Sequence, residues 1–328
     1  MVLRDSSRWA WARPLRGRGG WLALAGLALP AWAGSGGLCA DAARQPSPPL
    51  AQELAAIALR EHALMGGALI DAGGGLIHQG LAEVERERAV GSDRSTWRRV
   101  LGYWRATPDA GPLGVAGGSA LQQRANIVDR PWSAAFISHV MRTAGLGRAE
   151  FRASASHHDY VRAAFASARD EMRGADTRYA YRACDLAATA PRVGDLLCAT
   201  REGDARFDTF EQVAVALRAG PLQMHCELVV HQDSSGIAAI GGNVVQSVTL
   251  RRMGLEADGS GRLWTAYLES EHRREAVVAR LTPAAGQAQA LLPDTYLNRR
   301  PWSVLLQLRE GQPALAHEDR TNCCAALP

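Results

Sequence analysis

Three polar residues follow one another along the chain in the order of a hydrolytic triad. Ser133 falls at the start of a predicted helix, His225 on a later predicted strand, and Asn243 just before the next strand. A serine can act as a nucleophile, and a histidine can take its proton. A third polar side chain holds the imidazole in the useful tautomer and orientation. We therefore predict Ser133, His225 and Asn243 as catalytic residues.

Each of these residues also has a purely structural interpretation. Serine is a preferred helix cap, so the only role of the Ser133 side chain could be to accept a hydrogen bond from a backbone N–H of the first turn. A strand histidine such as His225 can be retained by burial and hydrogen bonding alone. The sequence Gly241-Gly242-Asn243 is typical of a turn. Only the order of the three residues favours the catalytic interpretation.

The nucleophile candidate belongs to a segment with the pattern of a buried helix. Apolar residues recur at helical spacing from about Trp132 to Ala144, with Pro131 before them and Gly145 after them. A side chain in the first turn lies among unpaired backbone N–H groups, at the positive end of the helix dipole. That position would stabilise an anion developing at Ser133.

The elements that must position these residues are helices in the first half and strands in the second. Helical spacing predicts helices at 51–65 and 95–106, and a loop leading into a helix at 154–160. Residues 201–220 resemble an insertion with its own short helix. Strands are predicted at 195–198, 222–231, 237–240, 244–250 and 304–308, and a helix-like stretch at Tyr267–Arg280. This order argues for an α+β fold in one domain.

Other candidate residues lie near these elements. Along 222–231, His225 and Glu227 fall on one face and Cys226 on the other, because side chains alternate along a strand. Asp195 is expected to brace the turn before its strand. We predict substrate-binding roles for four further residues, although the histidines equally fit a loop. They are Trp132, His157, His158 and Tyr160.

The N-terminal residues have the pattern of an export signal. A basic segment, a short apolar core and Ala31-Trp32-Ala33 predict a signal peptide over 1–33, with cleavage after Ala33. The alternative is an uncleaved N-terminal anchor. We then expect a linker at 34–50, one catalytic or binding domain at 51–312, and a flexible tail at 313–328. The expected location is periplasmic or secreted, with no stable membrane span after cleavage.

Composition narrows the function classes. The formal net charge is +4, all 37 basic side chains are arginine, and no run of five or more arginines occurs, which argues against nucleic acid as a partner. The six cysteines include no C-x-x-C pair, which argues against a zinc site. We predict no metal and no cofactor. Some of the cysteines could pair in an exported protein.

The helix segment also resembles a known family. The block Trp132-Ser133-Ala134-Ala135-Phe136-Ile137-Ser138 resembles the Trp-Cys-Ala-Ala-Phe-Val-Ser block of CHAP-type amidases, cell-wall enzymes of the papain-like superfamily. Val193-Gly194-Asp195-Leu196, His225 and Gly242-Asn243 resemble later landmarks of that superfamily. The chain is more closely similar to the bacterial domain of unknown function numbered 2272, over about residues 51–310. The resemblance implies a papain-like fold, with N-terminal helices packed on an antiparallel sheet, and peptidoglycan or peptide as partner.

One departure from that superfamily leaves the activity open. Position 133 holds serine where the superfamily has cysteine, and serine needs more help from a general base than a thiolate does. Either the protein is a hydrolase with a Ser-His-Asn triad, or it is an inactive module that binds peptidoglycan or peptide. A non-catalytic envelope scaffold is a third hypothesis.

Overall fold

The computed structural model describes residues 33–83, 95–115, 117–128, 130–204, 206–268 and 297–309. Within these ranges the chain forms seven α-helices and one mixed eight-stranded sheet, which confirms the α+β class. The helices are α1 (Ala33–Ala43), α2 (Pro49–Leu64), α3 (Thr96–Arg105), α4 (Ala120–Ile127), α5 (Ser133–Thr143), α6 (His157–Met172) and α7 (Phe210–Ala219). Short 3-10 turns lie at Pro108–Ala110, Glu202–Asp204 and Thr265–Leu268.

The sheet has the strand order β2-β1-β7-β6-β5-β4-β8-β3. Its strands are β1 (Ala68–Ile70), β2 (Leu76–His78), β3 (Tyr181–Asp185), β4 (Leu196–Thr200), β5 (Met224–Asp233), β6 (Gly236–Val244), β7 (Ser247–Met253) and β8 (Trp302–Leu308). Neighbouring strands are antiparallel except β1 and β7, which pair in parallel. The predicted antiparallel sheet is therefore corrected to a mixed one, because the short strand β1 enters the sheet from the helical half of the chain.

Helix α5 packs against the middle of the sheet, on β5 and β6, as its apolar pattern predicted. Phe136, Ile137, Val140 and Met141 are fully buried on this helix. Helix α2 packs beside it and buries the face that carries Leu54. The start of α5 is therefore fixed between the sheet and the other helices, which is where a positioned nucleophile is needed.

The turn into β4 is braced by a buried carboxylate, as predicted. Asp195 accepts hydrogen bonds from the N–H of Arg192 (2.8 Å) and from the N–H of Leu308 (2.8 Å). Burial raises the pKa of Asp195 to about 7, although Arg192 and these two N–H groups act in the opposite direction. This side chain therefore joins the β4 turn to the last strand.

The segment predicted as a linker, 34–50, is structured instead. It holds most of α1 and the first residues of α2. A disulfide joins Cys39 of α1 to Cys184 of β3, and the buried Gln307 donates a hydrogen bond to the carbonyl of Cys39 (3.0 Å). The Gly, Ala and Ser content suggested a linker, but the disulfide and the packing on the sheet edge hold this segment in place.

Several predictions fall on residues outside the described ranges. These are the signal peptide up to residue 32, most of the helix-like stretch after Leu268, and the tail at 313–328. In the part of the chain that is described, no helix is both long and apolar enough to cross a membrane.

Candidate functional site

Ser133 is the first residue of α5, and the residue before it provides no side-chain cap. The first i→i−4 hydrogen bond of the helix is donated by the N–H of Phe136 to the carbonyl of Trp132 (2.9 Å). By helix geometry the N–H groups of Ser133, Ala134 and Ala135 have no intrahelical acceptor. Ser133 is therefore not the capping residue, and its side chain is directed to another partner.

That partner is His157, at the start of α6. Ser133 Oγ lies 2.6 Å from His157 Nε2, and the hydroxyl of Tyr160 contacts the other ring nitrogen, Nδ1. Burial lowers the pKa of His157 well below its usual range, and the neighbouring His225 and Arg201 lower it further. The imidazole is therefore neutral at pH 7, the form in which one ring nitrogen can accept a proton.

His225, the predicted base, lies next to His157. Its ring centroid is 5.2 Å from that of His157, and its Nε2 donates to Glu227 Oε1 (3.2 Å). Burial lowers the pKa of His225, although Glu227 acts in the opposite direction. The hydrogen bond of Ser133 thus goes to His157, and that of His225 goes to a carboxylate that we did not predict as a site residue.

Glu227 of β5 forms a buried ion pair with Arg251 of β7, and β6 lies between these two strands in the sheet. Its two carboxylate oxygens accept from Arg251 Nε (2.9 Å) and Nη2 (3.0 Å). Arg251 also donates to Asn298 Oδ1 (3.0 Å) and is 0% exposed. Burial alone would raise the pKa of Glu227, but Arg251 and His225 outweigh it and lower that pKa. A negative charge is therefore fixed beside the two histidines.

The sequence did carry one signal for Glu227. Because side chains alternate along a strand, Glu227 falls on the same face of β5 as His225, two residues away. A histidine and a carboxylate at that spacing can hydrogen-bond directly. The contact between Ser133 and His157 had no such local signal, because it depends on where the fold places the start of α6 relative to the start of α5.

Asn243 lies near the end of β6, with a backbone φ of 54°. Asparagine tolerates this left-handed conformation better than most residues. Within the described ranges its side chain makes no hydrogen bond. The roles assigned to Ser133, His225 and Asn243 stay predictions, with Ser133 now beside a different histidine.

The glycines before Asn243 serve packing instead of forming a turn. A Cβ atom at Gly242 would lie 2.4 Å from Phe136 Cβ, so only glycine lets β6 approach the start of α5 this closely. The turn comes later, at Val245 and Gln246, between the paired residues Val244 and Ser247. Both turn residues have positive φ, 51° and 59°, without being glycine. The predicted turn at 241–243 is therefore corrected.

The four predicted substrate-binding residues are all buried, and each has an internal hydrogen-bond partner. Trp132 is 0% exposed and donates to Glu83. His158 Nδ1 accepts the N–H of Leu222 (3.2 Å). His157 and Tyr160 contact each other, as described above. Their substrate-binding roles stay predictions.

The four cysteines in the described ranges are all paired, and none of the four lies in the site. Cys226 lies on the face of β5 opposite His225, as predicted, and forms a disulfide with Cys198 of β4. Together with Cys39–Cys184 this gives two disulfides among the described residues. The described ranges contain no group of three or more His, Cys, Asp or Glu residues that could hold a metal ion.

The class of protein follows from comparison with known families. Residues 91–308 match the family described as "Uncharacterized protein conserved in bacteria (DUF2272)", so the chain belongs to this family. Neither the curated proteins nor the solved structures contain a significant match to it. The link to CHAP-type amidases and the papain-like fold accordingly stay predictions.

Proposed function

We propose that the protein is a serine hydrolase in which Ser133 is the nucleophile and His157 is the general base. The observation that carries this proposal is the 2.6 Å contact between Ser133 Oγ and His157 Nε2 at the start of α5. A nucleophile within hydrogen-bond reach of a base, which a third group orients, is the arrangement that activates serine. Here the hydroxyl of Tyr160 at Nδ1 would be the orienting group.

The chemistry follows from the placement of these atoms. With the ring proton on Nδ1, His157 Nε2 accepts the Ser133 hydroxyl proton while Oγ attacks a carbonyl carbon. The resulting oxyanion lies near the N–H groups of the first turn of α5, which have no intrahelical acceptor. His157 then returns the proton to the leaving group as its bond to carbon breaks. Water, deprotonated by His157, then attacks the acyl carbon, the bond from that carbon to Oγ breaks to release the carboxylic acid, and His157 returns the proton to Ser133 Oγ.

Glu227 supports the charged intermediate of this scheme. A protonated His157 is costly in a buried position, since burial disfavours the charged form. Glu227 is a negative charge that raises the pKa of His157 and thereby favours its protonated form. In the proposal, Glu227 and His225 are positioning residues: His225 lies between the carboxylate and the base, and Arg251 fixes the carboxylate.

The resemblance to CHAP-type amidases suggests the substrate class and location. We propose peptide or amide bonds of the bacterial cell wall as substrates, and a periplasmic or secreted protein. The two disulfides support this location, because disulfides persist in oxidising compartments. Expression in a Gram-negative host tests the export step. An intact mass that retains residues 1–33 in the cytoplasm would contradict it.

A serine-directed fluorophosphonate probe tests the nucleophile and the base. Labelling should be lost in Ser133→Ala and fall at least about 100-fold in His157→Gln, the usual contribution of a general base. The matched control is Ser138→Ala, since Ser138 is a second buried serine of α5 whose Oγ donates to the carbonyl of Ser154 (2.9 Å). Labelling that persists in Ser133→Ala would refute the proposal.

The same experiment decides between the two histidines. If His157 is the base, His225→Gln should leave substantial labelling. If labelling needs His225 and survives in His157→Gln, the papain-like arrangement applies and the base is His225. Ser133→Cys adds a second readout, because a thiolate at a helix N-terminus is stabilised and should react rapidly with thiol-directed reagents.

A binding module remains the second candidate, and one observation favours it. Ser133, His157 and His225 are only 3%, 4% and 3% exposed, which leaves little surface for a substrate to reach the serine. This alternative predicts no probe labelling, together with co-sedimentation of the folded protein with purified peptidoglycan.

A further inference from the structure

A second feature of the molecule lies at the opposite end of α5. A pocket of about 420 Å³ opens where α3 and α5 end, beside the segment that connects α5 to α6. Four arginines line it, and we call it the arginine pocket. They are Arg105 from the last turn of α3, Arg142 from the last turn of α5, and Arg148 and Arg152 from the connecting segment.

The positive charge of this pocket is largely uncompensated. In the part of the chain that the structure describes, Arg105, Arg142 and Arg148 have no ion pair and no side-chain hydrogen bond. Arg152 reaches Asp159 only at 3.9 Å, and its side chain is 54% exposed. Four guanidinium groups around one pocket give it a positive potential, which attracts an anion.

Helix ends explain only part of this arrangement. A cation in the last turn of a helix interacts favourably with the helix dipole, which accounts for Arg105 and Arg142. Arg218 has the same place in the last turn of α7 and does not line the arginine pocket. Arg148 and Arg152 lie outside any helix, so the dipole gives no reason for their convergence on the pocket.

We propose that the arginine pocket binds a phosphate group, as a phosphate ester or a diphosphate. Guanidinium groups present paired N–H donors that match phosphate oxygens, and several of them can share one dianion. Phe151 and Pro108 add apolar wall to the pocket, which suits the organic part of such a ligand. The volume lies at the lower end of the range of small-molecule sites, roughly 300–1,000 Å³.

The pocket is separate from the proposed catalytic site. Ser133 begins α5 and Arg142 lies in its last turn. At 1.5 Å per residue, the two are about 14 Å apart along the helix axis. Phosphate binding at the arginine pocket can therefore be tested without any turnover, and its outcome is independent of whether Ser133 reacts.

Calorimetric titration with inorganic pyrophosphate tests the proposal on the purified protein with its disulfides intact. We expect saturable one-to-one binding that Arg148→Gln and Arg152→Gln each weaken about tenfold, the loss of one charge-assisted hydrogen bond. The matched control, Arg218→Gln, should keep the affinity of the parent protein. Circular dichroism confirms that each variant is folded.

Two results would overturn the proposal. One is the absence of binding at millimolar pyrophosphate at low salt. The other is an equal loss of affinity in Arg218→Gln, which would mean that only net charge matters. The first result concerns the parent protein, and the arginines replaced in the variants are exposed, so loss of folding does not obscure either result.

A vesicle experiment identifies the source of the phosphate. If the ligand is a lipid headgroup, vesicles of phosphatidylcholine with phosphatidylglycerol should retain the protein, pure phosphatidylcholine vesicles should not, and pyrophosphate should compete. Retention should fall in Arg148→Gln. If pyrophosphate binds but neither vesicle retains the protein, the ligand is a soluble phosphate compound.

Discussion

Two buried glutamates, Glu61 and Glu227, are built from similar parts but differ in what their neighbours can do. Glu61 of α2 accepts hydrogen bonds from Arg99 (2.6 Å) and Tyr103 (2.8 Å) of α3, and His139 of α5 lies 3.9 Å away. We call these four residues the Glu61 cluster. Burial would raise the pKa of Glu61, but His139 and Arg99 outweigh it and lower it to about 2.

The Glu227 cluster consists of Glu227, Arg251, His225 and His157. It also combines a buried carboxylate, an arginine and histidine, but it continues from His157 to the hydroxyl of Ser133. Its arginine is fully buried, whereas the side chain of Arg99 is 15% exposed. A shifted pKa alone therefore does not mark a site, since both glutamates have one. The nucleophile at a helix start makes the difference.

Loss of the carboxylate should destabilise the protein more in the Glu227 cluster than in the Glu61 cluster. Glu227→Ala leaves the fully buried Arg251 without its carboxylate and should lower the free energy of unfolding by about 3–5 kcal/mol. Glu61→Ala should cost less, about 1–3 kcal/mol, because Arg99 can still reach solvent. Urea unfolding curves of both variants measure the difference.

A double variant provides the control for this prediction. Replacing both partners, as Glu227→Leu with Arg251→Met, removes the uncompensated charge and should recover much of the lost stability. Equal losses in Glu227→Ala and Glu61→Ala would show that the burial of the arginine does not distinguish the clusters.

Replacing either of two glycines by alanine should give the next largest effects on stability, and the two effects have opposite signs. Gly242→Ala places a methyl group against Phe136 and should destabilise the protein by about 1–3 kcal/mol through overpacking at the start of α5. Gly102 lies inside α3, next to Tyr103 of the Glu61 cluster, and a Cβ there meets nothing within 4 Å. Gly102→Ala should therefore stabilise by about 0.5–1 kcal/mol, the helix preference of alanine. Thermal unfolding of both variants checks the signs, and destabilisation by Gly102→Ala would contradict the prediction.

The glycines also show where sequence interpretation succeeds and fails. The helix at 132–144 was predicted nearly to its ends, because its apolar spacing and its stop signal are local features. The turn predicted at Gly241-Gly242-Asn243 was wrong, because these glycines are needed for close tertiary packing and not for a turn. The real turn uses Val245 and Gln246, residues that turn chemistry does not favour.

The candidate site divides in the same way. The nucleophile position and the histidine strand follow from periodicity and order along the chain. The approach of His157 to Ser133 does not, since it requires the start of α6 to pack beside the start of α5. The sequence could have predicted Glu227 as a site residue, because its spacing from His225 puts both side chains on one face of β5.

Two tyrosine hydroxyl groups, one in contact with each cluster, should differ in their effect on labelling. Tyr160→Phe removes the group at His157 Nδ1, so the ring is less firmly held, and fluorophosphonate labelling of Ser133 should slow about tenfold, the rate equivalent of one hydrogen bond. Tyr103→Phe removes a bond to Glu61 and should cost about 1 kcal/mol of stability with labelling unchanged. If both variants slow labelling equally, the two clusters are not functionally distinct.

The smallest effect is a difference in pH dependence. Burial lowers the pKa of His157 below its ordinary value of 6.5. Below pH 6.5 this histidine is protonated in the unfolded chain but stays neutral in the folded protein. The free energy of unfolding therefore falls as the pH falls. Between pH 6.5 and 5.5, one histidine that stays neutral in the folded protein can account for at most about 1 kcal/mol of this loss.

The Glu61 cluster responds in a lower window. The pKa of Glu61 falls from 4.5 to about 2 on folding, so its contribution is complete above pH 4.5 and is lost as the pH drops toward 2. His157→Gln should therefore flatten the stability curve between pH 6.5 and 5.5, and Glu61→Gln should leave that part of the curve parallel to the parent protein.

The contribution of Asp195 to the pH dependence has the opposite sign. Its pKa is raised to about 7, so the folded protein keeps a proton that the unfolded chain loses, and stability falls as the pH rises. That term is common to all three proteins and cancels in the differences. Urea unfolding at several pH values measures the slopes, and an unchanged slope in His157→Gln would mean that this histidine takes up its proton as readily in the folded protein as in the unfolded chain.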